Sequence, residues 1–478
     1  MSLTMLLAIT AVYFGVLLTI NYWVSQKRGE RAFYDGDKSS PWFLVAYGMI
    51  GASLSGVTFL SVPGLVGTKG FSYMQMVLGY QVGYLLIAYI LIPRFYNQKV
   101  VSIYQFLETT LGMEARLVGA FSFLASRVIG SAFRLFLVVL LLQHFVLDPL
   151  QIPIEVTVII TLLLIFAYTA TGGVKTLVYT DTLQTSVMLI CAGVTLYLLA
   201  CELGNFSGLQ ASISQTTFDF EGFRNNDNHF VKQFLGGALL AFCMTGLDQD
   251  MMQKNLTCKD AKSGQKNIIT LSLLLIPINL LFLGLGYYLS TFAQEANLLV
   301  GRPDHLFPTV IFSSGTFSVA LGGLFVLGLI AAALSSADSA LTSLTTCFQV
   351  DILQDMTFSP QKRLLIHGSF AVLLAAIILG FYYAPNGESI INRIFTVAQY
   401  TYGPLLGLFL FAMSSKRIVK AIYIPLLCIL TIGLTFWSQH LLTQNLDFSP
   451  GFLLLGINGP IMFSLLVITS TKDLSYEK

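Results

Sequence analysis

Long apolar runs make up most of the chain, and short breaks rich in charged or turn-forming residues separate them. A bilayer core about 30 Å thick needs about 20 apolar residues per crossing helix, so each run of that length predicts one membrane-spanning helix. The thirteen runs lie near residues 5–24, 43–66, 74–94, 117–146, 153–170, 178–201, 233–251, 268–290, 315–348, 364–383, 390–413, 418–438 and 450–470. The pattern predicts an all-α polytopic membrane protein with a single transmembrane domain over residues 1–478.

The order of the runs indicates an internal repeat. After an extra N-terminal helix at 5–24, ten helices form two sets of five, over 43–201 and 233–413, and two C-terminal helices follow within 418–470. Because five is odd, the second set enters the membrane upside down relative to the first. An odd number of helices in each of two sets predicts an inverted repeat, which is typical of secondary transporters.

Each set of five opens with a run that glycine interrupts. The interrupting residues are Gly48, Gly51, Gly56 and Pro63 in the first set, and Gly236, Gly237 and Gly246 in the second. Helices broken at matching places in two halves point to a solute site near the membrane midplane. Glycine also allows close packing of helices, and at any single position this alternative stays open.

Composition agrees with a membrane setting and excludes several classes of function. Only 10% of the residues are charged, against about 25% in a soluble domain. The net charge of +2, with no long basic run, argues against nucleic-acid binding. The six cysteines and five histidines show no metal-ligand spacing. The chain also offers no cluster of His, Cys and Asp that could serve as acid, base and nucleophile. We therefore expect neither an enzyme nor a zinc or haem protein.

The Lys and Arg residues concentrate in alternate breaks. An N-terminus outside and a C-terminus in the cytoplasm place most of them inside, including the group from Lys254 to Lys266. The same orientation places the segment 205–229 outside. We expect a multi-pass protein of the plasma (inner) membrane.

Two carboxylates stand within or beside apolar runs. A charge in the membrane costs at least about 2.5–3.5 kcal/mol, so each needs a reason. Asp181 begins one helix, where it could simply cap the N-terminus. Asp338 lies deep in its run and shares a helical face with hydroxyl groups at Ser335, Ser336, Ser339, Thr342 and Ser343. Such oxygens suit a hard cation, whereas a small-residue packing seam is the alternative.

Arg127 and Arg134 are seven residues apart in the fourth run, on about the same helical face. Either guanidinium could hold an anionic or polyhydroxyl solute. The alternatives are an ion pair inside the helix bundle and a side chain that extends toward the membrane surface.

Four motifs carry a resemblance to a known family. They are GASLSGVTFLSVPG at 51–64, TATGGVKTLVYTDTLQT at 169–185, DQDMMQK at 248–254 and AAALSSADSALTS at 331–343. Together they resemble the sodium/solute symporter family, whose members carry sugars, sialic acid, proline, iodide, vitamins or carboxylates on a leucine-transporter fold. The resemblance runs from about residue 5 to 470.

The resemblance implies two sodium sites. The first would use backbone carbonyls of Gly51, Leu54 and Ala332 with the hydroxyls of Ser335 and Ser336. A second, present in some members, would use Asp181, Ser335, Asp338 and Ser339. Asp338 departs from the serine that the family pattern leads us to expect. Whether this residue binds sodium or a proton stays open, and so does the number of sodium ions per cycle.

The resemblance also implies a set of solute-binding residues. By position these are Ser53, Ser55, Thr58, Met76, Tyr80, Met244, Thr245, Thr396 and Gln399, and we add Arg127 and Arg134. We expect a monomeric, sodium-coupled symporter that imports a sugar, a sugar acid or a similar small polar solute by alternating access. A proton-coupled or carboxylate symporter of the same fold, and a transporter-like sensor, are the alternatives.

Overall fold

The computed structural model describes most of the chain. The described ranges are 3–26, 32–313, 317–355, 359–384, 387–415 and 417–471. Within these ranges the side chains of residues 3, 5–7, 57, 313 and 387–399 are left out of the description.

Helices form nearly all of this structure. In chain order they are α1 (Leu3–Ser25), α2 (Ala32–Asp35), α3 (Trp42–Lys69), α4 (Tyr73–Asn97), α5 (Gln105–Leu111), α6 (Met113–Leu150), α7 (Ile154–Leu203), α8 (Phe206–Thr216), α9 (Phe230–Gly246), α10 (Gln249–Asn255), α11 (Ala261–Glu295), α12 (Leu306–Ser313), α13 (Val319–Ile352), α14 (Pro360–Tyr383), α15 (Gly387–Ser414), α16 (Ala421–Asn445) and α17 (Gly451–Thr469). In the described chain, extended pairing is limited to two isolated bridges.

The helices account for the thirteen predicted runs. Within the described residues nine helices are long and apolar enough to cross a bilayer, and two bent helix pairs bring the number to eleven. The 50-residue helix α7 contains two of the predicted runs, because Gly173 interrupts it with a φ of +63°. The run at 390–413 falls on α15, in which Tyr400–Ser414 is a shorter apolar helix. The predicted all-helical, polytopic fold is confirmed.

The outer helices expose apolar side chains where a soluble protein would expose charge. On α14, Leu365 and Val372 are 73% and 71% exposed, and on α16 Ile429 and Phe436 are 69% and 67% exposed. An apolar surface of this kind is stable in contact with lipid hydrocarbon. These helices therefore form the lipid-facing side of the bundle.

Helix α13 lies at the centre of the bundle. Every residue from 331 to 347 is buried, and the helix packs against α3, α6, α7 and α14. A helix that is buried all round can keep polar side chains only where other groups of the protein satisfy them. The polar side chains of this segment therefore need hydrogen-bond or charge partners within the protein.

The two bent spans are the two runs that glycine interrupts. Helix α3 bends by 59° next to Ser55, and α9 and α10 meet at 70° across Leu247 and Asp248. The prediction that both runs contain a break is confirmed. Because α3 packs against α7, α11 and α13, its break lies inside the bundle.

Candidate functional site

The backbone of α3 leaves helical geometry at Ser55, directly after Leu54. Ser55 has a φ of +42°, a backbone conformation that residues other than glycine rarely adopt. The last four carbonyls of a helix have no hydrogen-bond partner within that helix, and residues 51–54 are the four that precede the break. We therefore expect these oxygens to be able to coordinate a hard cation.

Gly51 lets this part of α3 approach α7 and α13. A Cβ atom on residue 51 would lie 2.6 Å from Thr185 Oγ1 and 2.9 Å from Ser335 Oγ, so a larger residue does not fit without a shift. The amide of Gly51 donates a hydrogen bond to Thr185 Oγ1 at 3.1 Å. The structure thus brings together Gly51 and Ser335, two residues predicted for the first sodium site.

The remaining predicted ligands of this site lie on the same two segments. Leu54 and Ala332 are buried, and Ser336 is 2% exposed. The Ser336 hydroxyl has no hydrogen-bond partner among the described residues, although an unpaired buried polar group costs about 1–3 kcal/mol. A cation coordinated at this position would satisfy that oxygen. The donor set fits sodium, and the assignment of the five ligands stays a prediction.

A cavity of about 270 Å³ lies beside the breaks of the two bent spans. Its wall includes residues 52–55 of α3 and the end of α9 at Met244 and Thr245. A volume slightly below the usual 300–1,000 Å³ of ligand pockets suits a small solute. The cavity therefore lies where the paired breaks predicted a solute site.

Eight of the eleven predicted solute-binding residues line this cavity. They are Ser53, Ser55, Thr58, Tyr80, Arg127, Arg134, Met244 and Thr245. Their part in binding a solute stays a prediction. Thr396 and Gln399 lie outside the described side chains.

Met76 is not among the residues that line the cavity. It is buried, and its backbone carbonyl packs against Gly237, where α9 crosses α4. This contact places Met76 in the packing between the two helices. The structure does not bring Met76 to the cavity wall with the other predicted solute-binding residues.

Tyrosine hydroxyls give the cavity much of its polar lining. The hydroxyls of Tyr73 and Tyr80 are 3.2 Å apart, and Ser53 Oγ lies 3.4 Å from the hydroxyl of Tyr84. Each of these hydroxyls can both donate and accept a hydrogen bond. Such a lining is suited to a solute that carries several hydroxyl groups.

The charge of Arg127 is compensated inside the protein. Its guanidinium forms an ion pair with Asp250 and lies 3.7 Å from Asp248. Asp248 also accepts a hydrogen bond of 2.6 Å from the hydroxyl of Tyr402 and caps α10 through the amides of Asp250 and Met251. For Arg127 the structure therefore shows the ion-pair alternative, even though the residue borders the cavity.

Arg134 differs from Arg127 in its charge environment. It lines the same cavity, two turns further along α6. The described side chains offer it no carboxylate at ion-pair distance. Among the described residues of the cavity wall, Arg134 is therefore the cation that can pair with an anionic group of a solute.

The second predicted sodium site already contains a cation of the protein. Lys254 Nζ lies 2.6 Å from Asp181 Oδ2, and both residues are buried. The other oxygen of Asp181 accepts a hydrogen bond of 3.0 Å from Ser335 Oγ. Lys254 as a residue is only 1% exposed, because α10 continues the bent span inside the bundle. It is therefore not a solvent-exposed loop cation, and the side of the membrane on which it lies stays a prediction.

Asp338 belongs to a neighbouring set of hydrogen bonds. Its Oδ2 accepts from the hydroxyl of Tyr168 at 2.7 Å and from Gln184 at 3.4 Å, and its Oδ1 accepts from the amide and hydroxyl of Ser339. Ser339 follows Asp338 directly in the chain, so this contact does not test the second sodium site, whose residues stay a prediction. The hydrogen bonds of Asp338 thus connect it to α7 and to its own helix, α13.

Sequence reasoning missed several residues of the site. Tyr73, Tyr84 and Asn279 line the cavity, and Tyr402 both lines it and bonds Asp248. Asn279 is an amide in the middle of an apolar run, which is a usable signal. Thr185 follows Asp181 by four residues and so shares its helical face. The tyrosines carry no such signal, because tyrosine is also common at membrane surfaces.

A model of the sodium:solute symporter family matches residues 33–421. The chain belongs to this family. The match spans both bent helices and the Asp181, Lys254 and Ser335 segments. Membership confirms the family resemblance and makes this a multi-pass protein of a transporter family, not of an enzyme family.

Two proteins of similar sequence carry different solutes. The chain is 24% identical over 433 residues to a sodium/sialic acid symporter of Proteus mirabilis, with 85% of this chain and 84% of that protein covered. It is 23% identical over 483 residues to a sodium/glucose cotransporter of Vibrio parahaemolyticus, with 91% and 87% covered. Both proteins are named as sodium-coupled transporters, whereas the solutes in their names differ.

A solved structure of a Na⁺-coupled sialic acid symporter, in a substrate-bound outward-open state, superimposes on this chain with a TM-score of 0.81. The alignment covers 98% of this chain and 99% of that one at 20% identity. At this identity the likeness shows the fold alone, which is the leucine-transporter type. The predicted fold class is confirmed.

Proposed function

We propose that this protein imports a small polyhydroxylated acid, such as a sugar acid, together with sodium. The bent span α3 carries the proposal, because it serves both predicted sites. Residues 52–55 line the cavity, while Gly51 lies against Thr185 and Ser335.

The shared segment supplies a physical route for coupling. A sodium ion that binds the carbonyls of Gly51 and Leu54 fixes the backbone around the break of α3. The side chains of Ser53 and Ser55 project from the same backbone into the cavity. Binding of either ligand orders the segment that the other needs, so the two affinities rise together. Sodium entry then drives import, and each ion contributes about 2.3 kcal/mol per 100 mV of membrane potential.

The charge balance of the cavity supports an acidic solute. The positive charge of Arg127 is offset by Asp248 and Asp250, whereas Arg134 has no such partner among the described side chains. A carboxylate bound to a buried guanidinium forms two parallel hydrogen bonds. The tyrosine and serine hydroxyls of the wall suit the remaining hydroxyl groups of a sugar acid.

Uptake into proteoliposomes tests this proposal with matched pairs of solutes. Each pair consists of a neutral sugar and the corresponding sugar acid, offered under an inward sodium gradient. We expect uptake of the acid. Arg134→Gln raises its half-saturation concentration by about 10- to 100-fold, because a hydrogen-bonded charge contributes about 1.5–3 kcal/mol.

Arg134→Lys and Lys259→Gln are the controls. The lysine keeps the charge but loses the two-pronged geometry, so we expect an intermediate affinity. Lys259 is exposed and does not line the cavity, so its substitution leaves uptake unchanged. Equal uptake of neutral sugars, with Arg134→Gln indistinguishable from the parent, contradicts an acidic solute.

A further inference from the structure

Lys254 is a charged residue that the proposed solute and first sodium sites do not use. It lies in α10, the second half of the bent span that begins at Phe230. Its side chain is among the largest that are fully buried in the described structure. Burial of an ammonium group is stable only when a partner compensates its charge.

The partner of Lys254 is the carboxylate on which a second sodium site depends. Asp181 Oδ2 accepts from Lys254 Nζ at 2.6 Å and Asp181 Oδ1 accepts from Ser335 Oγ at 3.0 Å. Both oxygens are therefore engaged. The carboxylate of Asp181 and the ammonium group of Lys254 cancel, so this pair offers no net negative charge to an added cation. Asp338, the other carboxylate of the predicted second site, is already hydrogen-bonded to Tyr168, Gln184 and Ser339.

A sodium ion at Asp181 would also meet a like charge. Two unit charges 4 Å apart at an effective dielectric constant of 20 repel enough to weaken binding by about a thousandfold, which corresponds to about 4 kcal/mol. The residues present thus do not fit a second sodium while Lys254 is in place. The first site is different, because the Ser336 hydroxyl has no hydrogen-bond partner among the described residues.

We propose that the ammonium group of Lys254 permanently takes the place of the second sodium, so that the protein moves one sodium ion per solute. This inference rests on the proposed sodium coupling. It also predicts that the ion pair determines stoichiometry: without the ammonium group, Asp181 accepts sodium as its counter-ion.

The test is the sodium-to-solute ratio, measured from reversal potentials of reconstituted protein. We expect a ratio of one for the parent and for Lys254→Arg, which keeps the charge. Lys254→Ala exposes Asp181 and leaves space, so its ratio rises to two. In the double variant Asp181→Asn/Lys254→Ala both charges are absent, and the ratio returns to one.

Thermal unfolding in sodium or choline chloride provides a readout that does not need transport. Lys254→Ala should gain more stability from sodium than the parent gains, whereas the double variant should gain no more than the parent. A parent ratio of two overturns the inference and leaves sodium coupling intact. A ratio of one for Lys254→Ala with no added sodium stabilisation also overturns it. So does a Lys254→Ala protein that fails to fold in sodium while the double variant folds.

A parent that accumulates solute without sodium contradicts the proposed function itself. The two failures are therefore distinguishable.

Discussion

Replacement of Ser336 by alanine should have opposite effects on the stability of the protein with and without sodium. In the absence of sodium the hydroxyl is buried and unpartnered among the described residues. Removing it relieves a desolvation cost of about 1–3 kcal/mol, less the loss of packing. We therefore expect the sodium-free protein to be unchanged or more stable.

With sodium present, the same substitution removes one ligand of the ion. A hydrogen bond to a charged group contributes about 1.5–3 kcal/mol, which we take as a guide for the hydroxyl–sodium contact. Sodium affinity should fall by about 10- to 100-fold. At saturating sodium the stabilisation by the ion, which grows as the logarithm of its concentration over Kd, should shrink by a similar amount.

The assay is thermal unfolding over a sodium titration, with choline chloride holding the ionic strength constant. Ser343→Ala is the matched control on the same helix, because its hydroxyl donates to the carbonyl of Ala340 at 3.0 Å and is not a predicted ligand. The control should leave sodium affinity unchanged. A Ser336→Ala protein that is less stable without sodium and keeps the parent sodium affinity would refute the ligand assignment.

Three further predictions concern other parts of the molecule. Arg127→Met leaves two buried carboxylates without their counter-charge and should lower the stability of the protein by about 3–5 kcal/mol. Lys362→Met, at an exposed ion pair, should lower it by less than about 1 kcal/mol. Equal losses in thermal unfolding would contradict the burial argument. Gly51→Ala should abolish stabilisation by sodium, and retention of sodium binding would show that the close contact can relax. A cysteine at Lys262 should react with an impermeant reagent only from the cytoplasmic side, and one at Ser214 only from outside; the reverse would overturn the orientation.

The sequence predicted the helices and both breaks because each leaves a local signal. Apolar runs of about 20 residues predict spans, and glycines beside Ser55 and before Asp248 mark the bends that the structure contains. The solute-binding residues were predicted from the family resemblance, with Arg127 and Arg134 added from their position in the fourth apolar run. Eight of them, on α3, α4, α6 and α9, line the cavity.

Partner choice among buried charges was harder to predict. Asp181 and Lys254 are 73 residues apart in the chain, and the charge rule for loops assigns a lysine in this segment to the cytoplasm. The ion pair of Asp181 and Lys254 becomes apparent only in the structure, in which α10 lies inside the bundle. Likewise, nothing in the sequence distinguishes Arg127, which faces Asp250, from Arg134, which does not.

Met76 shows the same limit for packing. Its helix borders the cavity at Tyr73, Tyr80 and Tyr84, but α9 crosses at Gly237 and covers Met76. A crossing of this kind depends on the three-dimensional arrangement of two helices from different halves of the chain.

Sodium-driven accumulation in proteoliposomes tests the central claim most directly. Purified protein is reconstituted with an inward sodium gradient, and uptake of a labelled sugar acid is followed together with uptake of ²²Na⁺. The account predicts that the acid accumulates against its gradient only when sodium is present outside, and that ²²Na⁺ enters faster when the acid is added. Accumulation that persists when choline replaces sodium, or sodium entry that ignores the solute, would contradict it.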